Sequence, residues 1–376
     1  MGHKFRLIRI ACYAIIVAAI LLASETQLLS WGLFNLFTDT TYSSGGLEKV
    51  NAFDPDRDIL YLPQFKGKDI FEASRDLSVC RNKAVRKHIY LYLTSKREYL
   101  IRAIERSYRY EAMIQEVMRK NKDIPEEVAL LPLLESCFDP RAVSSSRAVG
   151  LWQFVDNTAR PLGLRSDRWI DERRDIDKST AAAVRHLRNI RGSFPDWALT
   201  LAAYNGGAGY VKRTMEKTGI RDFWKLREGG HLRDETSEYI PKYIALMVIY
   251  KNQRLFGVKD EITVPKKIET ESYTLQQPVD LRNLSRVAGI PLQTIRDLNP
   301  ELNATMTPPG IKNYRLRLPA EAVERLDAKS DTLYNIRTPR VASSRAKKGK
   351  NTASTTRQYK NKQRHSHYRN GGRRRL

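Results

Sequence analysis

The stretch Leu131-Pro-Leu-Leu-Glu135-Ser-Cys-Phe138-Asp-Pro140 sets a carboxylate in apolar company. On a helix, Glu135 would have Leu131 four residues before it, Phe138 three after it, and Leu134 adjacent. Burying an unpaired carboxylate is costly. Burial also raises its proton affinity and yields a group protonated near neutrality, as a general acid requires. The plainer reading is a glutamate paired with a nearby arginine, and this helix alone does not separate the two. Pro132 inside the helix removes a backbone bond and predicts a bend just before Glu135.

Three more segments bear on that balance. Gly150-Leu-Trp-Gln153-Phe154 puts a glycine beside an amide donor. Ala203-Tyr204-Asn205-Gly-Gly207 ends an apolar helix with a phenol, an amide and two glycines. Glu235-Thr236-Ser-Glu-Tyr239-Ile-Pro-Lys-Tyr243 opens another helix with further phenols. Each alone has a bland account as a cap, a C-terminal glycine or core tyrosine; together, in this order, they are specific. The six histidines (His3, His88, His186, His231, His365, His367) show no metal-ligand spacing, and no metal or cofactor is implied.

The elements that must position these groups are helical. From about Asp69 to Leu255 helix patterns follow one another with few strand signals. Ile89–Glu116 carries Ile89, Leu93, Leu100, Ile104, Met113 and Ile114 at helical spacing. Asp123-Ile-Pro125-Glu-Glu127 predicts a cap, a first-turn proline and acids beside the helix dipole. Trp152, Trp169, Trp197 and Trp224 fall in this region and read mostly as core. Val264-Pro265-Lys-Lys267 reads as a hinge. Beyond it Tyr273-Thr-Leu275, Leu281–Ala288, Leu292–Leu298 and Tyr314–Leu318 make a small β-α-α-β unit.

Charge divides the chain further. Of 66 Lys and Arg, 3 lie in residues 1–23 and 14 follow Asp331, so the middle holds 49 against all 42 acidic residues. The overall charge of +24 therefore sits on a body of only +7. Residues 341–376 carry 12 basic residues and no acid, and their composition predicts disorder. Lys4, Arg6 and Arg9 precede an apolar run, Ile10–Ala23, which reads as a secretory signal. Fourteen residues are short for a span. An uncleaved anchor with Leu28–Phe37 lying on the membrane is the alternative, and no cysteine follows the run to take a lipid. Cys12 lies inside the run; Cys80 and Cys137 read as buried free thiols.

Together the motifs resemble the lytic murein transglycosylases of the goose-lysozyme-like superfamily, and most closely the membrane-bound type D group. The matching elements are Glu-Ser at 135–136, Gly-Leu-Trp-Gln-Phe at 150–154, Asp-Glu-Arg-Arg-Asp at 171–175, Ala-Tyr-Asn at 203–205 and Glu-Thr…Tyr at 235–239, with 18 residues from Glu135 to Gln153. The resemblance covers residues 60–255. It implies a single catalytic carboxylate, Glu135, that protonates the bond between N-acetylmuramic acid and N-acetylglucosamine in peptidoglycan. The muramoyl N-acetyl group then assists. Glu135, now ionised, takes the proton from the C6 hydroxyl, which closes a 1,6-anhydro ring. Ordinary glycosidases use two carboxylates. By family position Ser136, Ser144, Gln153, Phe154, Tyr204, Asn205 and Tyr239 bind the sugar or orient Glu135; Ser136 has a helix cap as its alternative role.

Asp139 stands where the family often has Asn, and Arg147 where it often has Gly. Asp139 as a second carboxylate would favour a lysozyme-type hydrolase; as a cap it would close the turn before Pro140. Arg147 has a peptide-stem carboxylate or plain solvent as its candidate neighbours. The small unit resembles a divergent LysM module, with Asn-Pro at 299–300 but Gln277-Pro-Val-Asp280 in place of the usual opening. Glycan binding and a purely structural role both remain open for it.

The expected fold class is mainly α: a lysozyme-like helical catalytic domain, a small β-α-α-β LysM-like module and a disordered basic tail. The expected divisions are a signal peptide or anchor at 1–24, a linker at 25–60, the catalytic domain at 61–262, the module at 271–320 and the tail at 338–376. The expected setting is the periplasm or cell envelope, with a monomer that binds peptidoglycan glycan strands. The tail would meet anionic envelope surfaces rather than nucleic acid, since Tyr359 and Tyr368 are too few for base stacking. A noncatalytic wall-binding protein is the competing class.

Overall fold

The computed structural model describes residues 69–335 apart from Asp76 and Lys267. The expected leader, the linker and the basic tail all lie outside the described residues. Helices dominate: α1 (Ile70–Arg75), α2 (Lys83–Leu93) and α3 (Arg97–Arg119) come first. The Asn82 side chain accepts from the N–H groups of Ala84 and Val85 and so satisfies donors that α2 leaves open. The apolar pattern of Ile89–Glu116 is not one helix. Thr94 gives both its N–H and its hydroxyl to the Tyr90 carbonyl and ends α2. The expected cap at Asp123 is corrected too: its carboxylate pairs with Arg188, and Pro125 precedes a 3-10 turn, Glu126–Leu130.

Next comes α4 (Leu131–Glu135), only five residues long. Pro132 lies in its first turn, where a missing N–H breaks no bond, so the bend expected before Glu135 does not occur. The chain turns after Glu135 instead. Cys137 and Phe138 take left-handed φ values of 55° and 51°, and the N–H groups of Ser136 and Phe138 both reach the Pro132 carbonyl. Glu135 is thus the last residue of a helix that is forced to stop.

Six more helices complete this part: α5 (Asp156–Ala159), α6 (Ile176–Arg191), α7 (Trp197–Gly206), α8 (Ala208–Thr218), α9 (Phe223–Glu228) and α10 (Asp234–Lys251). Asp175, Asp196 and Asp222 cap α6, α7 and α9, each accepting from an N–H three residues on. From Tyr239 to Ile249, α10 is buried almost all round, as a helix apolar on every face must be. It packs against α1, α2, α4 and α7. Pro241 stands inside it and offers no N–H to the carbonyl of Ser237. Arg227 supplies the missing donor, its Nε lying 3.1 Å from that oxygen.

A second core forms around β1 (Thr270–Leu275), α11 (Leu281–Ala288), α12 (Leu292–Leu298) and β2 (Tyr314–Pro319). The strands are antiparallel, with Thr270 opposite Pro319 and Leu275 opposite Tyr314. Alternation buries Tyr273, Leu275, Tyr314, Leu316 and Leu318 on one face. Asp280 caps α11. The expected β-α-α-β order is present, but the unit does not end at residue 320: α13 (Ala320–Asp327) and α14 (Ser330–Asn335) add Ala322, Val323, Leu326 and Leu333 to the same core. Ile170, from the helical part, is also buried in it.

Candidate active site

Three elements converge on Glu135. From α10 the Tyr239 hydroxyl donates to Glu135 Oε1 in a short hydrogen bond. From α7 comes Tyr204, whose hydroxyl donates to the Trp152 carbonyl at 2.7 Å and whose ring lies beside Phe154 and His186. The third is the turn Ala142–Phe154, held by bridges of Val149 to Val143 and to Phe154. In this turn Gly150 has φ 85°, and a Cβ on it would lie 1.9 Å from the Arg173 carbonyl oxygen. Only glycine fits there.

Electrostatics favours a protonated acid. Burial pushes the Glu135 carboxyl up from 4.5 to about 7; the Tyr239 hydrogen bond works against this, and the charge of Glu235 adds to it. Burial and the charge of Glu135 hold the phenols of Tyr239 and Tyr204 well above their ordinary value, so both stay neutral donors. Tyr239 can therefore stabilise the ionised state of Glu135 without competing for its proton. Burial lowers the proton affinity of His186, which keeps the ring beside Tyr204 neutral.

The expected substrate-binding residues divide. Asn205 is half-buried at the end of α7: its Nδ2 donates to Glu235 Oε1 at 3.3 Å, and the Thr236 hydroxyl donates to its Oδ1 at 3.1 Å. Gln153 is half-buried with φ 49°, and its Nε2 donates to the Gly150 carbonyl at 2.9 Å. That leaves its Oε1 as an acceptor. The Ser144 hydroxyl accepts from the Ala148 N–H at 3.0 Å and shares a hydrogen bond with Ser146.

Two expectations need correction. Ser136 is buried and its hydroxyl donates to the Leu151 carbonyl at 2.9 Å, so it ties the end of α4 to the neighbouring turn rather than facing a sugar. Phe154 is buried with its ring against Tyr204 and His186, so it supports the phenol from behind. Asp139 turns to its own chain: its carboxylate accepts from the Arg141 N–H at 2.8 Å, which is the turn cap, and lies 4.0 Å from Arg106. Arg147 is exposed with φ 61°, a conformation that favours the glycine usual in the family. Cys80 and Cys137 are both buried and unbonded to each other.

Glu235 was missed as a member of the site. It lies four residues before Tyr239, which puts the two on one face of α10, and this spacing was the signal that could have found it. Arg173 was missed as well. Its guanidinium holds Asp171 at 2.7 and 2.9 Å and also donates to the Phe154 carbonyl at 3.3 Å. Among the described residues no group of three or more His, Cys, Asp or Glu is placed to hold a metal ion.

Glu135 is thus a half-buried acid with a raised proton affinity and a neutral phenol on its carboxylate, set at the end of a short helix. Comparison with known proteins adds two local likenesses. Residues 112–227 match the family model of the transglycosylase SLT domain, and residues 269–335 match that of the LysM-like domain of the lytic transglycosylase MltD. The two stretches are thus similar, each by itself, to a transglycosylase SLT domain and to a LysM-like domain of the MltD kind.

Over 228 residues it is 34% identical to membrane-bound lytic murein transglycosylase D of Escherichia coli K12, a match covering 59% of this chain and 49% of the relative. It is 33% identical over 110 residues to membrane-bound lytic murein transglycosylase F of Alcanivorax borkumensis, covering 26% of this chain and 22% of the relative. The crystal structure of the 70 kDa soluble lytic transglycosylase of Escherichia coli matches 39% of this chain and 24% of its own, at 22% identity and a TM-score of 0.33. The chain spans about half the length of the type D relatives it matches.

Proposed function

We propose that this chain is a peptidoglycan lytic transglycosylase that cleaves the β-1,4 bond between N-acetylmuramic acid and N-acetylglucosamine and leaves 1,6-anhydromuramoyl ends. One observation carries the reading: Glu135, with a proton affinity raised to about 7, sits under a neutral phenol that donates to it. Near neutral pH such a group is present in both forms, so it gives a proton in one step and takes one in the next. Protonated Glu135 delivers its proton to the glycosidic oxygen as the bond to C1 breaks. The muramoyl N-acetyl oxygen stabilises the cationic C1. Glu135, now a carboxylate held by Tyr239, accepts the proton of the C6 hydroxyl while that oxygen attacks C1, and the acid is restored.

The residues around Glu135 support this sequence of events. Asn205, fixed at both ends of its amide, has one N–H left to offer a sugar oxygen or acetamido group. Gln153 Oε1 and the Ser144 hydroxyl are the neighbouring polar groups on the turn. With Asp139 turned to Arg141, the second carboxylate of an ordinary glycosidase has no candidate at that position. The chain would work in the periplasm or envelope after export, with residues 61–262 as the catalytic domain and the basic tail held at anionic envelope surfaces.

Mass spectrometry of digested sacculi tests the reading. The wild-type chain should release anhydromuropeptides, and Glu135→Gln should abolish them while the fold is kept. Reducing muramoyl ends would mean hydrolysis. No products from folded wild-type protein would leave a wall-binding role.

A further inference from the structure

The LysM-like unit does not hang from the helical part by a hinge alone. Ile170 pairs with Leu302 in an isolated bridge, and both are buried. The Asp171 N–H donates to the Glu301 carbonyl at 2.8 Å, and the Asn303 N–H donates to the Trp169 carbonyl at 2.9 Å. The Asn303 side chain adds a bond to the Asp167 carbonyl at 2.9 Å and accepts from Arg174 at 3.2 Å. Segment 299–303 is itself fixed: Asn299 is buried and exchanges hydrogen bonds of 2.7 and 2.8 Å with the Arg317 backbone on β2. Arg141 and Arg317 add ion pairs to Asp297 and Asp177.

The loop gripped in this way is 165–175, and it does not stop at the interface. Its Arg173 is buried, clamps Asp171 with two bonds and reaches the Phe154 carbonyl. The Arg173 carbonyl fills the space that a side chain on Gly150 would need. Gly150 and Phe154 bracket Gln153, and the intervening Trp152 carbonyl holds the Tyr204 hydroxyl. Contacts therefore run without a gap from Leu302 through Ile170, Asp171 and Arg173 to the turn beside Glu135.

We propose that the LysM-like unit is a working part of the catalytic site: it holds loop 165–175 in place, and Arg173 of that loop acts as a positioning residue for the turn that carries Gln153. The inference rests on the reading of Glu135 as the catalytic acid. It makes the unit a scaffold for turnover, whatever glycan affinity it has besides.

Two variants of the full chain test it, Leu302→Asp and Arg173→Lys, by hydrogen exchange and by kinetics on soluble glycan strands. Leu302→Asp should speed exchange at 299–303, 165–175 and 147–154 together. Its kcat should fall by about tenfold to a hundredfold, as misplacement of a positioned group does, with KM moving less than about threefold. Arg173→Lys keeps a charge beside Asp171 but loses the guanidinium fork. It should speed exchange at 147–154 alone and lower kcat in the same sense. Leu302→Asp with 299–303 released and 147–154 still protected would overturn the proposal, as would a loss carried wholly by KM. If Leu302→Asp does not fold, the milder Asn303→Ala, which removes the side-chain bonds to Asp167 and Arg174, takes its place with the same expected pattern and the same overturning results. Should the wild-type chain make no anhydromuramoyl product, the functional reading fails, and the exchange pattern still reports on the coupling.

Discussion

Removing the hydroxyl of Tyr239 is the sharpest probe of the acid. In the wild-type site this phenol donates to Glu135 and favours its ionised form, against burial, so that the carboxyl titrates near 7. A hydrogen bond to a charged group contributes about 1.5–3 kcal/mol. At about 1.4 kcal/mol per pH unit, its loss should raise the proton affinity of Glu135 by roughly one to two units. Activity that needs protonated Glu135 is lost as pH rises through that value. The alkaline limb of kcat/KM for Tyr239→Phe should therefore move upward, from about 7 to roughly 8–9. The assay is initial-rate release of anhydromuramoyl products from soluble glycan strands between pH 5 and 10. An alkaline limb that stays put or moves down would refute the account of how Glu135 is tuned.

The converse change, Glu235→Gln, removes a negative charge near Glu135 while keeping an oxygen for Asn205, so the same limb should shift down by a fraction of a pH unit with little loss at pH 5. Stability should respond to Glu301, which is buried, accepts from Tyr314 at 2.8 Å and is pushed up from 4.5 to about 7. Between those values the folded state holds more protons than the unfolded one, so stability falls as pH rises through the window. Glu301→Gln should remove a penalty on the order of 3 kcal/mol at pH 8 and none at pH 4, read by denaturant melts at both pH values. Gly150→Ala should destabilise by about 2–4 kcal/mol, because its Cβ meets backbone that cannot swing away; a melt within about 0.5 kcal/mol of wild type would contradict the packing described.

The chemistry was more legible than the frame around it. Glu135, Asn205 and Tyr239 stood out because each combines a polar group with a helix end or an apolar stripe, and those signals are local. Ser136 and Phe154 lie in the same motifs yet face inward, since the motif does not say which side of a turn the chain presents. The stop after Glu135 was hidden for a related reason. Phe138 in a left-handed conformation runs against its own preference and is held there by burial from distant parts of the chain. Least legible was the bridge between Ile170 and Leu302, 132 positions apart with no periodicity to link them. The small unit's two strands and first two helices read correctly one by one, but α13 and α14 were not read, and where the unit sits depended on residues outside it.

Pro241 and Arg227 carry a consequence for reading relatives of this chain. The proline frees the Ser237 carbonyl, Arg227 Nε occupies it, and the same guanidinium holds Glu238 at 2.7 Å. The two positions should therefore change together over evolutionary time. A lineage that replaces the proline regains the helical N–H and releases the arginine from selection. One that keeps the proline should keep a forked donor on α9, because without it a half-buried helical carbonyl two residues before Tyr239 would lose its partner.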